Sequence, residues 1–374
     1  MEFLLRQAIQ QLNEAWHQAH QVAGKTGLSR FQILRDLVVM NTTRFVGIRP
    51  YFQYRLFNPA LTPDQKRRYL ADTPWANARL WSRLNPKRYG CLYANKLIFN
   101  RFFTAVGLPL ARIFGIYHPL FGQTMDGQPL RGAGQLGDWL PSVGQSGFVF
   151  KPIQGAKGHQ VLVFTGPSGD DPNAFTTLSG EKYNPEDLVS FAEGTSERKR
   201  PTAAGIAFLI EERISPHPTL AAFVGPTLCS VRLQTIVGRD ATPRIIAAVF
   251  KLQPKPIGVD HLIYGAVGCW VDLDSGILGP GRTRASLDDV TLIPETASSF
   301  VGFQLPDWHE VKNLALRAAG AFPWARSIGW DIAISDRGPV LIEGNVEWSP
   351  SLIQIPAPHG LMTGEFEKLY RSLG

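Results

Sequence analysis

Long apolar runs are missing from this chain. No stretch of about 18 consecutive apolar residues occurs, so no membrane-spanning helix is expected. Phe3-Leu4-Leu5 gives way at once to Arg6 and Gln7, short of the apolar core of about 7 residues that a secretory signal needs. Cysteine is scarce, with three in 374 residues. Cys91, Cys229 and Cys269 are widely spaced and form no CxxC pair, which fits a reducing compartment and offers no zinc signal. A cytoplasmic location is the resulting expectation. Acidic residues are the scarcer charge, 31 against 38 basic, for a net charge of +7. No long tract of one sign accounts for it. The densest cluster, Glu197-Arg198-Lys199-Arg200, reads as a solvated loop. The basic balance suits an anionic ligand such as a nucleotide or phosphate, and would also suit nucleic acid or a membrane surface; internal repeats, heptads and nucleic-acid-binding signatures are lacking, so no nucleic-acid partner is expected.

What is present is ordinary globular composition, 44% hydrophobic and 18% charged, in a length that suits two or three domains. Leu5, Ile9, Leu12, Trp16, Ala19 and Ala23 recur at helical spacing, and a second helical stretch runs from Phe31 to Met40. With the aromatic segment Tyr51 to Phe57, these define a helical N-terminal region, residues 1–90. Its expected role is packing; peripheral membrane contact is the sharper alternative. Residues 93–106 make one helical pattern, ended by Gly107 and Pro109. Strands are expected at Ile113–Tyr117, Phe148–Pro152 and Gln160–Phe164, the last two flanking a glycine-rich turn, Gly155-Ala156-Lys157-Gly158. Residues 166–205 read as loop with a short helix near Pro185 to Ala192. Further strands are expected at 207–211, 230–237, 245–252 and 268–273, then a helix at 307–321. A closing hairpin is expected at 328–335 and 340–343, turned by Asp336-Arg337-Gly338. The mixture is α+β, with units expected at 1–90, 91–205 and 206–374.

The closing hairpin carries the most chemistry. Glu343 and Asn345 are two apart and share a face; Asp331 lies on the neighbouring strand. Three oxygen donors of this kind suit Mg2+, and acids set among Ile, Val and Leu would otherwise be buried unpaired. Lys151 ends an apolar strand beside the glycine-rich turn, where backbone N–H groups can approach phosphate closely. Lys96, in the first turn of its helix, is a second phosphate candidate. Phe208 to Ile210 runs into Glu211 and Glu212, placed to meet an adenine edge and ribose hydroxyls. Gly24-Lys25-Thr26 mimics the end of a phosphate-binding loop, but Ala19 stands where the first glycine is required and no strand precedes it.

The order of these segments resembles an ATP-grasp domain, the fold in which two α+β subdomains grip ATP. Asn95-Lys96-Leu97 opening a helix that ends at Gly107-Leu108-Pro109 looks like its start. Phe150-Lys151-Pro152 with Gly155, Lys157 and Gly158 is similar to its second lysine and phosphate-covering loop. Ile210-Glu211-Glu212 resembles its adenine-binding hinge, and Asp331, Glu343 and Asn345 its metal triad. D-alanine–D-alanine ligase is a familiar member. Ser230-Val231-Arg232, Val259-Asp260-His261, Gly265 and the Tyr51–Phe57 leader are similar to the sugar-transfer-associated, or alpha-L-glutamate ligase-related, group. The likeness covers roughly residues 45–350. Two positions depart from the pattern. Gly329 stands where the ligases keep an arginine two residues before the metal aspartate, and His261 and Ala266 stand where the group has Asn and Gly.

The resemblance implies ATP and Mg2+ as cofactors, a small carboxylate and an amine as substrates, and amide formation through an acylphosphate. A phosphotransferase that stops at phosphorylation is the alternative enzyme, and a nucleotide-binding scaffold the non-enzymatic one. Arg232 or Lys251 is expected to supply the charge missing at Gly329. Arg232 alternates there between binding an acidic substrate or intermediate and forming a structural ion pair.

Overall fold

The computed structural model describes residues 2–44, 46–155, 158–169, 171–196 and 207–372. Five helices lead. In α1 (Glu2–Thr26) and α2 (Arg30–Arg44), Ala15, Ala19 and Val22 pack with Ile33, Leu37 and Met40. α3 (Ile48–Gln53) closes that cluster with Tyr51 and Phe52. The aromatic run folds inward because its rings bury large apolar area against the helices. α4 (Pro63–Arg67) and α5 (Pro74–Leu84) begin at Thr62 and Thr73. Each threonine side chain accepts a hydrogen bond from a backbone N–H of its helix, with proline in the first turn.

The helix expected over 93–106 is broken in two. α6 (Gly90–Ala94) stops and α7 (Lys96–Ala105) starts at Asn95, whose side-chain oxygen accepts from the N–H groups of Leu97 and Ile98 at 3.0 and 3.1 Å. An asparagine that can cap competes with helix continuation. The break also brings the Lys96 N–H onto the Ile153 carbonyl at 2.9 Å, so α7 starts from the end of a strand.

A seven-stranded antiparallel sheet follows. It is formed by β1 (Ile113–Tyr117), β2 (Gln123–Thr124), β3 (Phe148–Pro152), β4 (Leu162–Ser168), β5 (Asp171–Thr177), β6 (Lys182–Tyr183) and β7 (Phe208–Glu212), in the order β2-β1-β7-β3-β4-β5-β6. α8 (Ala133–Val143) and α9 (Pro185–Ser196) pack Leu136, Leu140 and Leu188 against Phe148, Phe150, Phe175 and Phe208. Residues 166–205 therefore contain two strands in place of the expected loop. Register shifts at Phe164/Gly166 and Pro167/Ser168 break the alternation that would have shown them. Glu197 to Arg200 lie outside the described residues. β7 pairs with both β1 and β3, so a boundary at 205/206 would separate a central strand from its sheet. We propose that the division falls after Glu212.

The second sheet has six antiparallel strands: β8 (Ser230–Val237), β9 (Pro243–Leu252), β10 (Val267–Val271), β11 (Leu278–Arg282), β12 (Ser327–Ser335) and β13 (Gly338–Asn345), in the order β11-β10-β9-β8-β12-β13. α10 (Pro218–Val224) precedes it, and α11 (Trp308–Ala321) lies between β11 and β12. α12 (Pro350–Gln354) and α13 (Gly364–Ser372) end the described chain. On one face Val231, Leu233, Phe250, Trp330 and Ile332 meet Phe99 and Phe103 of α7 and the apolar side of α11. On the other, Ile236, Ala247 and Val249 meet Leu80 and Leu84 of α5 and Phe366 of α13. Coverage of both faces buries β8 and β12 along their whole lengths.

Candidate functional site: a charged cleft between the sheets

Register builds the centre of the site. Arg232 on β8 lies opposite Asp331 on β12, and Asp331 lies opposite Glu343 on β13. Residues directly opposite share a face, so two acids and an arginine form a row across three strands. A bulge makes the row possible. Asp331 pairs with Glu343, but the next residue, Ile332, pairs with Leu341, which leaves Ile342 as an extra residue. Without it Glu343 would follow Leu341 into the apolar face; one extra residue re-aims the side chain. Asn345, opposite Gly329, follows Glu343 by two and lies close enough to donate to its Oε1 at 3.2 Å.

The row is tightly bonded. Arg232 holds Asp331 with both prongs of its fork, Nε to Oδ1 at 2.6 Å and Nη2 to Oδ2 at 2.9 Å. Lys251 on β9 adds a contact of 3.2 Å to Asp331 Oδ2 and donates to Asp260 Oδ1 at 3.0 Å. Asp260 in turn accepts from the Ser230 N–H and hydroxyl at 2.7 and 2.6 Å. Burial pushes the Asp331 carboxyl up, but the Arg232 and Lys251 charges outweigh it and hold the group well below the usual carboxylate range. Glu343 goes the other way. Burial, then the facing Asp331 carboxylate, raise it. His261 is pushed down to about 4, first by burial and then by the neighbouring Lys251 and Arg232 charges.

Gly329 explains the position of Arg232. A Cβ at 329 would lie 3.0 Å from Arg232 Cδ and 3.2 Å from its Nη1. The guanidinium occupies the space into which a side chain from 329 would grow.

The opposite wall belongs to the first sheet. Lys151 of β3 forms an ion pair with Glu211 of β7, one step diagonally across the ladder. Lys96 Nζ donates to the Gly155 carbonyl at 3.1 Å, and its pKa is lowered, mainly by burial and then by Lys151. Lys96, Lys151, Gly155, Gly158, Glu211, Glu212, Lys251, Asp331 and Glu343 all line one cleft. Val149, Val163 and Leu178 face it from the first sheet, Leu228 and Ile342 from the second. Lys157 lies outside the described residues. Glu212 is at the cleft edge, but both of its oxygens are held by Arg337, at 2.7 and 2.8 Å, across the gap between the sheets.

Several lining residues carried no signal of their own in the sequence. Arg213 and His159 belong to no local pattern, and Asp260, singled out only as part of the Val259–His261 likeness, takes its place through its bonds to Lys251 and Ser230. Tyr264 Oη and His159 Nδ1 are 2.9 Å apart, which ties the glycine-rich segment of the first lobe to the second.

The family model for sugar-transfer associated ATP-grasp proteins matches residues 75–368. Similar solved structures include a complex of biotin carboxylase from Campylobacter jejuni with β,γ-ATP, at 13% identity over 69% of this chain and 41% of that one, with a TM-score of 0.40. D-alanine–D-alanine ligase from Bacillus anthracis is 11% identical over 68% of this chain and 57% of its own, with a TM-score of 0.35. An ATP-grasp protein of the RimK domain type from Sphaerobacter thermophilus is 14% identical over 72% and 67%, with a TM-score of 0.34. The chain thus spans about half the length of the first two of these, 41% and 57%. No curated protein matches it.

Proposed function

The chain belongs to the sugar-transfer associated ATP-grasp family, and from that premise we propose that it is an ATP- and Mg2+-dependent ligase joining a carboxylate to an amine. The observation that carries this reading is the cleft itself. One wall bears the facing carboxylates Asp331 and Glu343, the other bears Lys96 and Lys151, and apolar side chains line the space between. A flat base fits between Val149, Val163 and Leu178 on one side and Leu228 and Ile342 on the other, with its edge towards the backbone at Glu211–Ile214. Phosphates then lie towards Lys96, Lys151, Gly155 and Gly158, while the carboxylates of Glu211 and Glu212 stand near the ribose.

Asp331, Glu343 and Asn345 fit a hard divalent cation. Two carboxylates face each other, and burial, then repulsion from Asp331, raise Glu343, a cost that a cation offsets. Among the described residues no group of three His, Cys, Asp or Glu is arranged for a metal, and the Asn345 amide oxygen would add a third donor beside the two carboxylates. A carboxylate has about four lone-pair sites. Arg232 and Lys251 use three on Asp331, which leaves Asp331 the minor donor beside Glu343 and Asn345. Bound Mg2+ would neutralise phosphate charge.

The protein groups then position and polarise. Lys96 and Lys151 bind phosphate oxygens as point charges. A substrate carboxylate oxygen attacks the γ-phosphorus, the bond to the ADP oxygen breaks, and an acylphosphate results. The amine attacks the acyl carbon, phosphate leaves and the amine proton passes to solvent or base. Arg232 acts through Asp331 as a positioning residue and supplies the cation missing at Gly329; Lys251 does the same from the other side.

The test is a screen of paired carboxylates and amines that follows ADP release together with product mass. An amide formed with one ADP per bond supports the ligase. A phosphorylated product without amide makes the protein a phosphotransferase, and no turnover with any pair makes it a nucleotide-binding scaffold.

A further inference from the structure

A second groove lies at the other end of the six-stranded sheet. It is lined by Arg88 and Tyr89, by Arg239 and Ala241 of the β8–β9 turn, and by Trp324 and Arg326 just before β12. Val237, beside it, is five residues along β8 from Arg232, about 16 Å at about 3.3 Å per residue. The groove is therefore separate from the cleft, and it stands independently of the ATP reading.

Its chemistry is one-sided. Three arginines line it and no acid does. Among the described residues none of the three forms an ion pair with a carboxylate, and the neighbouring acid Asp240 is already held by Arg244 at 2.6 Å. Arg326 Nη1 is buried without a hydrogen-bond partner. Arg239 donates to the Ser372 carbonyl, a neutral acceptor. Arginines clustered without counter-charge repel one another, and an anion in the groove removes that cost.

Flat apolar surface stands beside the charge. Trp324 is 59% exposed. It packs edge-on against Phe322 at 5.2 Å, and Phe322 packs edge-on against Tyr89 at 5.1 Å, so the two groove rings are braced by one half-buried neighbour. Arg88 lies over Tyr89 at 5.0 Å. A rigid indole face suits the axial C–H face of a pyranose or the face of a base. The lining has no Asp, Glu, Asn, Gln, Ser or Thr side chain to accept from a base edge. It favours a ligand that accepts through oxyanions and stacks through a ring.

We propose that this groove binds an acidic saccharide, a glycan whose pyranose rings carry carboxylate groups, with Arg88, Arg239 and Arg326 on the carboxylates and Trp324 under a ring.

The test is titration of the full chain with tetragalacturonate, read by calorimetry and tryptophan fluorescence, alongside maltotetraose, inorganic phosphate and MgATP. Tetragalacturonate is expected to bind, to weaken as salt rises, and to lose at least tenfold in affinity in Trp324→Ala and in Arg88→Ala/Arg239→Ala, with melting temperature unchanged. MgATP binding is expected to be unaltered in both variants. Several results overturn the proposal: no binding; equal binding of maltotetraose; inorganic phosphate competing with an affinity equal to that of tetragalacturonate; displacement by MgATP; or full affinity in the folded variants.

Discussion

Asp331 and Glu343 are opposite one another on neighbouring strands, yet substitution should affect them differently. Glu343→Ala is expected to fold normally and to lose Mg2+-dependent ATP turnover by at least a hundredfold, read as ADP release. Asp331→Ala should lose turnover and stability together. It leaves the buried Arg232 fork without its carboxylate and Lys251 with Asp260 alone, a change that costs about 3–5 kcal/mol, measurable by denaturant titration. Equal melting of the two variants would contradict this assignment. Arg232→Lys keeps the charge and loses the fork. The expected cost is about 1.5–3 kcal/mol for one hydrogen bond to a charged group, with kcat reduced because Asp331 is no longer held in one orientation. A variant that melts as the wild type and turns over normally would remove Arg232 from both roles.

Two tertiary links join elements that the sequence keeps far apart. Tyr264 and His159 connect the glycine-rich segment to the second lobe. Tyr264→Phe removes only the hydroxyl, so melting should be unchanged while KM for ATP rises several-fold; an unchanged KM would mean that the segment needs no tie. Arg337, in the turn between β12 and β13, holds both oxygens of Glu212 at the end of β7. Hydrogen bonding from Arg337 holds the Glu212 carboxyl below the usual carboxylate range. A depressed folded-state pKa contributes stability that is present above the unfolded value and is lost as pH falls through the folded one. Glu212→Gln should therefore be less stable at pH 7 by about 1 kcal/mol, and the gap should close as pH falls below about 4. A gap that persists into acid would show that the pair contributes through packing instead.

On the scale of the whole molecule, the helical leader serves as a brace for the second lobe. Leu70 exchanges hydrogen bonds with the Gln354 side chain, donating at 2.8 Å and accepting at 2.9 Å. Asp72 accepts from the Ser349 hydroxyl at 2.7 Å and the Ser351 N–H at 3.1 Å. Tyr54 and Ser351 are bonded at 2.8 Å. Gly360 is the closest approach: a Cβ there would overlap the backbone of Arg68 and Tyr69. Gly360→Ala should push the leader off the lobe, lower the melting temperature, and expose residues 60–75 to limited proteolysis before the rest of the chain. Wild-type melting and digestion would show that the brace yields without cost.

How much could be read without coordinates varies with the range of the interaction. The strand pattern at 328–335 and 340–343, and the shared face of Glu343 and Asn345, were legible because alternation is local and its period is two. The two lysines that line the cleft from its first wall, Lys96 and Lys151, were picked out by the order of short segments. The two strands hidden in 166–205 were not, since bulges and glycines erase the period. The break at Asn95 was open to reading in principle, because asparagine caps helices, but a good apolar pattern on both sides outweighed it. Neither the extra residue at Ile342 nor the seating of Arg232 over Gly329 can be read from spacing. The first depends on which residue of β12 each residue of β13 meets, and the second on two strands 97 residues apart in the chain (Arg232 to Gly329). The sequence by itself determined the fold family, most of the longer strands and the charge types available. Only the tertiary structure decided that Asp331 is shared between two cations, that Glu212 is bonded across the lobes, and that three arginines with no carboxylate partner among the described residues meet a tryptophan at the far end of the sheet. Those outcomes rest on register and on long-range packing, which no local periodicity encodes.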